Sequence, residues 1–278
     1  MRATMAIVSF MRPRLLKHQL DSIIRQQIPR EELEILVLND GLEDDTAAVC
    51  ESFTDRLNIR HIFTGQRNLP GERQIIWRGL GFAANVGVQQ AAGDIFIQVD
   101  AEVYHLGDTL RLMMATVENN PNAVVFPDHN ILADDGRVLK YLDDGGPLPI
   151  PNDLLTNLQQ YEACLGFLYA VRRSAVLEIG GYDEDFTGSQ REDVDFMLRL
   201  KGLGIVPAQV PVRLVHLYHE RVLSDDPPRM AHNRKVFDAK RGQIRRNVGR
   251  PWGIIRENER EWWLQQLRQT GTIRVDID

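Results

Sequence analysis

The sequence has 278 residues, of which 43% are hydrophobic and 26% charged, and its formal net charge is −6. This composition is typical of a globular chain that forms one large domain, with or without an appendage. The acidic balance argues against nucleic acid as the main partner.

The first residues favour a cytoplasmic protein. The apolar run at residues 5–10 is too short for a signal peptide, and Arg12, Arg14 and Lys17 follow it closely. No segment approaches about 18 apolar residues, so no transmembrane segment is predicted, although peripheral contact with the inner membrane face stays open. The two cysteines, Cys50 and Cys164, offer neither a disulfide framework nor a metal-ligand spacing, which fits a reducing compartment.

Strand and helix patterns alternate in the first part of the chain. Short apolar runs predict strands at residues 6–10, 33–38 and 59–63, and apolar residues at helical spacing predict helices at residues 13–27 and 46–53. This order implies right-handed crossovers and a parallel sheet. Ser9-Phe10 and Asn39-Asp40 would then lie at the carboxyl edge of that sheet.

The segment AAGDIFIQVDAEV, residues 91–103, predicts the central strand. Its apolar residues suit a strand that is buried on both faces. The strand ends in Asp100-Ala101-Glu102, and ligands of parallel α/β sheets bind beyond the carboxyl ends of the strands. Two carboxylates one residue apart can converge on a hard cation. The alternative is a polar strand end that faces water.

The remaining chain predicts further elements and two less regular regions. A helix at residues 82–92 precedes the central strand. Residues 128–153 look irregular, and residues after 226 are strongly basic and helical. The other expected elements are helices at residues 106–119, 173–179, 194–203, 230–247 and 257–269, and strands at residues 123–126, 165–171, 205–206 and 212–215.

Five motifs follow one another along the chain. They are SFMRP at residues 9–13, LEILVLNDG at 33–41, NVGVQQAAGDIFIQVDAE at 85–102, EIGGYDEDF at 178–186, and REDVDFMLRLKGLGI at 191–205 followed by LVHLYH. In this order they resemble the motifs of glycosyltransferase family 2, in which the third ends in an Asp-x-Asp metal motif. The resemblance covers about residues 4–222.

The resemblance implies the GT-A fold, an α/β architecture with a Rossmann-like, mostly parallel sheet flanked by helices. We expect this domain at residues 1–225, with a nucleotide-binding half at about 1–103 and an acceptor half at about 104–225. Residues 226–278 would form a helical C-terminal extension. Its basic residues either meet an anionic lipid surface or phosphorylated acceptor, or form a solvated helix face.

The same resemblance implies a hexosyltransferase-type glycosyltransferase that moves a sugar from a nucleotide-diphosphate donor to a glycan or lipid-linked acceptor, in polysaccharide biosynthesis. A UDP-sugar is favoured, because a carboxylate at Asp40 can accept the imide N–H of uracil. An oligomer is possible. The expected donor-binding residues are Ser9, Phe10, Arg12, Asp40, Arg78, Asn85 and Asp100.

A divalent cation would neutralise the charge that builds on the leaving diphosphate. The expected metal ligands are Asp100, Glu102 and His216, with His219 as the alternative histidine. Glu102 stands where the family usually has Asp. Imidazole together with carboxylates favours Mn²⁺ over Mg²⁺.

The motif Arg191-Glu192-Asp193-Val194-Asp195 resembles the catalytic segment of the family. Inversion at the anomeric carbon needs a base, and the match points to Asp193, with Glu192 binding the acceptor or sharing that role. Asp195 and Arg199 have the spacing of a helix ion pair. Two alternatives stay open, a retaining transferase on the same fold and a module that binds nucleotide-sugar without turnover.

Overall fold

The computed structural model describes residues 1–70, 79–128, 131–161, 166–188, 190–220 and 227–270. Its strands are β1 (Ala3–Ser9), β2 (Leu33–Asn39), β3 (Asn58–Phe63), β4 (Ile95–Asp100), β5 (Val103–Leu106), β6 (Ala123–Pro127), β7 (Ile131–Ala133), β8 (Gln159–Gln160), β9 (Leu168–Arg172), β10 (Val206–Val210) and β11 (Arg213–His216). Its helices are α1 (Pro13–Ile24), α2 (Thr46–Glu51), α3 (Leu80–Gln90), α4 (Thr109–Asn119), α5 (Arg137–Asp143), α6 (Asn152–Thr156), α7 (Arg173–Glu178), α8 (Glu192–Gly202), α9 (Pro227–Ala239) and α10 (Glu259–Thr270).

The large sheet has the strand order β10-β6-β9-β4-β1-β2-β3. Strand β1 lies between β2 and β4 and is parallel to both, because helical crossovers return the chain in the same direction. Strand β9 runs antiparallel to β4. The prediction of a mostly parallel sheet flanked by helices is therefore confirmed.

A second sheet, with the order β5-β11-β7-β8, lies beside the carboxyl end of β4. Strand β11 pairs antiparallel with β5, and His216 is the partner of Val103 in that register. The sheet therefore places His216 next to Glu102, although 114 positions separate these two residues in the sequence.

Two sequence expectations are wrong in this region. Residues 103–106 form β5, so the helix expected from residue 106 begins only at Thr109. Residues 128–153, expected to be irregular, contain β7, α5 and the start of α6. These elements have three to seven residues, so none repeats its hydrophobic period even twice. Helix α5 depends instead on the Asp134 carboxylate, which accepts hydrogen bonds from the N–H groups of Val138 and Leu139.

The basic helix expected at residues 230–247 is shorter in the structure, where α9 ends at Ala239. The residues that follow pack against the turn at residues 179–185. Arg246 is 4% exposed and Lys240 forms ion pairs, so neither belongs to a solvated helix face. Among the described residues, no helix is both long and apolar enough to cross a bilayer.

Candidate functional site

The carboxyl ends of β1, β2 and β4 meet at one edge of the large sheet, as expected. Ser9 pairs with Asn39, and Val8 pairs with Asp100. Beyond the strands, the N–H of Asp40 donates to the carbonyl of Ser9 over 2.8 Å. The predicted donor residues Ser9, Asp40 and Asp100 therefore lie along this edge.

Glu102 is the centre of a cluster of polar side chains just beyond β4. It is 4% exposed, and its Oε1 lies 3.3 Å from His219 Nε2 and 3.7 Å from His216 Nε2. The Arg12 guanidinium also donates to Oε1. The ligand atoms of Glu102, His216 and His219 all lie within 4.8 Å of one another, which is the spacing of a metal site.

Both histidines that the sequence left as alternatives therefore join Glu102. Burial lowers the pKa of His216 to about 4, although the Glu102 carboxylate opposes that shift. His216 is consequently neutral near pH 7 and keeps a lone pair for a metal. Its ring contacts those of Tyr161 and Phe167 at centroid distances of 5.3 and 4.7 Å, which fixes its orientation.

Asp100 lies where several carboxylates converge. Burial raises its pKa well above the usual range, and the nearby charges of Glu102, Asp193 and Glu192 raise it further, while Arg12 lowers it. Its Oδ1 is buried and has no hydrogen-bond partner in the described protein. An unpartnered buried carboxylate oxygen is costly unless a cation or a ligand group meets it.

Asp193 lies on the first turn of α8 and faces the same cleft. Burial raises its pKa to about 6, although a hydrogen bond from the Tyr182 hydroxyl over 3.4 Å opposes the shift. Gly166, in the left-handed region at φ +95°, lies directly against the Asp193 carboxylate, so a side chain at residue 166 would displace it. The structure thus brings Asp193 and Glu192 close to Asp100.

Asp195 forms the expected ion pair with Arg199, at 2.7 Å. The sequence did not indicate that Arg246 contacts the same carboxylate, also over 2.7 Å. The chain reaches Arg246 only after α9, and no local spacing links residues 195 and 246.

Asp40 is engaged in a buried network. Its Oδ1 accepts hydrogen bonds from the Thr64 hydroxyl, over 2.7 Å, and from Arg67. Arg67 is 1% exposed, and its guanidinium lies against Gly41. Sequence reasoning missed Arg67, which lies in a segment without hydrophobic periodicity.

Asn85 lies against the turn at residues 180–184. It is completely buried, and its side-chain amide bonds to the backbone N–H and carbonyl of Tyr182 and to Glu184 Oε1. These contacts give its predicted donor contact no support; they hold the turn at residues 180–184. Phe10 is half-buried at the sheet edge, and Arg78 lies outside the described residues.

Comparisons with known proteins all point to glycosyltransferases. The sequence profile described as Glycosyltransferase like family 2 matches residues 9–238. An uncharacterized glycosyltransferase of Haemophilus influenzae is 22% identical over 205 residues, which cover 73% of this chain and 70% of that protein.

The poly(ribitol-phosphate) beta-N-acetylglucosaminyltransferase TarS of Staphylococcus aureus is 22% identical over 125 residues, 45% of this chain. The match spans only 20% of TarS. The crystal structure of TarS residues 1–349 with UDP-GlcNAc superposes with a TM-score of 0.60 at 14% identity, over 86% of this chain and 66% of that one.

The mannosyltransferase PcManGT of Pyrobaculum calidifontis, in complex with GDP-Man and Mn²⁺, superposes with a TM-score of 0.57 at 14% identity. That alignment covers 98% of this chain and 81% of the other. At such identity the structural likeness establishes the shared GT-A fold.

Proposed function

The chain belongs to the family described as Glycosyltransferase like family 2, and from this premise we propose that it transfers a sugar from a nucleotide-diphosphate donor to a glycan or lipid-linked acceptor. The observation that carries the proposal is the meeting of the Glu102–His216–His219 cluster with Asp100 and Asp193 at one sheet edge. This arrangement supplies a place for a cation and, beside it, a carboxylate with a raised pKa.

The nucleotide would bind across the ends of β1 and β2, with a UDP-sugar as the preferred donor. Asp40 borders this place, and its network with Arg67 and Thr64 holds the carboxylate in a fixed orientation for a base N–H. Ser9 and Phe10 would flank the base, while Arg12 would meet the diphosphate. The complexes of TarS with UDP-GlcNAc and of PcManGT with GDP-Man support a nucleotide-sugar donor in general.

The residues around Glu102 fit a divalent cation. Two imidazole nitrogens and a carboxylate oxygen lie within ligand spacing, and Glu102 Oε2 and Asp100 Oδ1 are both buried without a hydrogen-bond partner among the described residues. Mixed nitrogen and oxygen donors favour Mn²⁺ over Mg²⁺. When bound, the cation would act as a Lewis acid that neutralises charge on the departing diphosphate. Glu102, His216 and His219 would hold it, with Asp100 beside them.

Asp193 would act as the base. Its carboxylate takes the proton of the acceptor hydroxyl, whose oxygen then bonds to the anomeric carbon while the bond to the diphosphate oxygen breaks. Attack from the face opposite the leaving group inverts the anomeric configuration. A pKa of about 6 suits this role, because the group is ionised near neutral pH and still basic. Glu192, buried beside it, would bind the acceptor or share the role of base.

A donor screen tests the proposal. The protein is incubated with a panel of nucleotide-sugars and acceptors, with Mn²⁺, Mg²⁺ or EDTA, and the released nucleoside diphosphate is measured. We expect metal-dependent release from one donor, lost in Asp100→Ala and in Asp193→Ala, with an inverted anomeric product. Nucleotide binding without turnover would favour a binding module, and a retained configuration would remove Asp193 as the inverting base. Absence of nucleotide binding would overturn the whole proposal.

A further inference from the structure

We propose that Arg246 is a positioning residue that fixes the start of α8, and with it Asp193, from a segment beyond the 9–238 family match. The inference rests on the proposed function of Asp193 as the base. It makes residues 240–253, here called the C-terminal brace, a support that acts on α8 through a few buried contacts, chiefly those of Arg246.

The first argument is the buried charge cluster under α8. Arg246 Nη2 lies 2.7 Å from Asp195 Oδ1, and its Nε lies 2.9 Å from Asp183 Oδ2. Arg199 holds the other oxygen of Asp195 over 2.7 Å. The side chains of Asp183, Asp195, Arg199 and Arg246 are at most 5% exposed. Because buried charges cannot turn to water, removing one guanidinium leaves a carboxylate short of a partner.

The second argument is the backbone of the brace. The N–H of Arg246 donates to the carbonyl of Ile179 over 2.9 Å, and the Asn247 side chain donates to the carbonyls of Gly180 and Tyr182. Gly253 donates to Glu184 Oε1 over 2.7 Å. The brace is therefore hydrogen-bonded along most of the turn that follows α7 and carries Tyr182.

The third argument comes from the Gly-Gly pair of this turn. Gly180 and Gly181 have φ values of +76° and +68°. A Cβ at Gly180 would overlap the carbonyl oxygen of Arg246, and one at Gly181 would overlap Trp252 and Asn85. Glycine is thus needed here for backbone conformation and also for the close approach of the brace.

These contacts reach the proposed base by two routes. Asp195 lies two residues after Asp193 on the same helix, so the ion pair with Arg246 fixes the first turn of α8. Tyr182, whose backbone carbonyl accepts from Asn247, donates from its hydroxyl to Asp193. A displacement of a catalytic group by about 1 Å can cost 100-fold in rate, so a loose brace would act mainly on kcat.

The test compares Arg246→Ala, Arg246→Lys and the matched control Arg245→Ala. Arg245 is the preceding residue in the sequence, and its own side chain is 68% exposed. Steady-state kinetics with the donor found in the screen give kcat and KM. We expect kcat to fall about 10- to 100-fold in Arg246→Ala while the donor KM changes less than threefold. Arg246→Lys should recover part of kcat, because one ammonium cannot reach both carboxylates as the guanidinium does. Arg245→Ala should match the wild type.

Hydrogen–deuterium exchange provides a readout that does not depend on transferase activity. In Arg246→Ala we expect faster exchange in residues 192–196 and 180–184, and no change in strand β1. Wild-type kcat in Arg246→Ala, or unchanged exchange in residues 192–196, would overturn the positioning role. If Arg246→Ala fails to fold, Arg246→Lys decides. A lower kcat with faster exchange in residues 192–196 would support the positioning role. A lower kcat and a lower Tm without a local change in exchange would indicate a purely structural residue.

Discussion

Arg12 and Glu102 form an ion pair across the cleft, and this pair occupies the same carboxylate oxygen that faces both histidines. The Arg12 Nη2 also lies 3.1 Å from His219 Nδ1. An arginine can only donate, so this contact is a hydrogen bond when His219 carries its ring proton on Nε2, toward Glu102, and accepts at Nδ1. A metal at His219 Nε2 requires the other tautomer, with Nδ1–H donating to the carbonyl of Glu220, 3.0 Å away.

We therefore expect Arg12 and a divalent cation to compete for the same groups when no donor is bound. We expect Arg12→Ala to bind Mn²⁺ about tenfold more tightly than the wild type without donor, because a charge-assisted hydrogen bond contributes about 1.5–3 kcal/mol. Titration followed by the EPR signal of free Mn²⁺ measures the affinity. Arg14→Ala is the control, since Arg14 is exposed and pairs with Asp143. Equal or weaker binding by Arg12→Ala would show that the two cations do not compete.

The two histidines can be separated by the same titration. Glu102→Ala should remove detectable Mn²⁺ binding, because it deletes the oxygen shared by the cluster. His216→Ala and His219→Ala should each weaken binding at least tenfold, since both imidazoles lie within ligand spacing. Asp94→Ala, an exposed carboxylate at the opposite end of the central strand, serves as control. Full affinity in one histidine variant would assign the ligand to the other histidine.

Activity should depend on pH through Asp193. A base works when it is deprotonated, so kcat/KM should rise about tenfold per pH unit up to about pH 6 and then level off. Asp193→Asn should lower kcat by about 10²- to 10⁴-fold and remove this limb. A wild-type profile that is flat between about pH 5 and 7 would contradict the assignment.

The same raised pKa has a consequence for stability. The folded protein holds the proton on Asp193 more tightly than the unfolded chain does, so protonation of Asp193 stabilises the fold. This contribution to the free energy of unfolding is complete below the unfolded pKa of 3.8 and is lost as pH rises through about 6. We therefore expect Asp193→Asn to have a higher Tm than the wild type at pH 8, with a difference that shrinks toward pH 4. Thermal melts across this range measure it, and a constant difference would argue against the shift.

Replacement of Asp40 should be costly for stability. Asp40→Ala would leave the buried Arg67 guanidinium without its carboxylate, and breaking a buried ion pair in this way costs about 3–5 kcal/mol. The double variant Asp40→Ala/Arg67→Met should recover much of that loss. Denaturant unfolding gives the free energies. A double variant as unstable as the single variant would show that the pair is not the cause.

The order of strands and helices around the cleft could be predicted from sequence, because those elements repeat simple patterns. The runs at residues 6–10, 33–38 and 91–103 are apolar and end in polar groups, and a parallel sheet collects such ends at one edge. The motifs also identified Glu102, Asp193 and the two histidines as candidates. Local patterns hold this information, since burial on both faces and helical spacing concern neighbouring residues.

Tertiary structure alone decided which distant side chains meet. Arg12 reaches Glu102 across 90 positions, Arg67 reaches Asp40 across 27, and Arg246 reaches Asp195 across 51. No residue pattern fixes such pairs, because they depend on the geometry of loops and crossovers. Asn85 is a further example: its motif suggested a donor contact but did not indicate its buried hydrogen bonds to Tyr182 and Glu184. The sequence by itself thus determined the fold family and the candidate chemistry, whereas long-range packing decided how each charge is partnered.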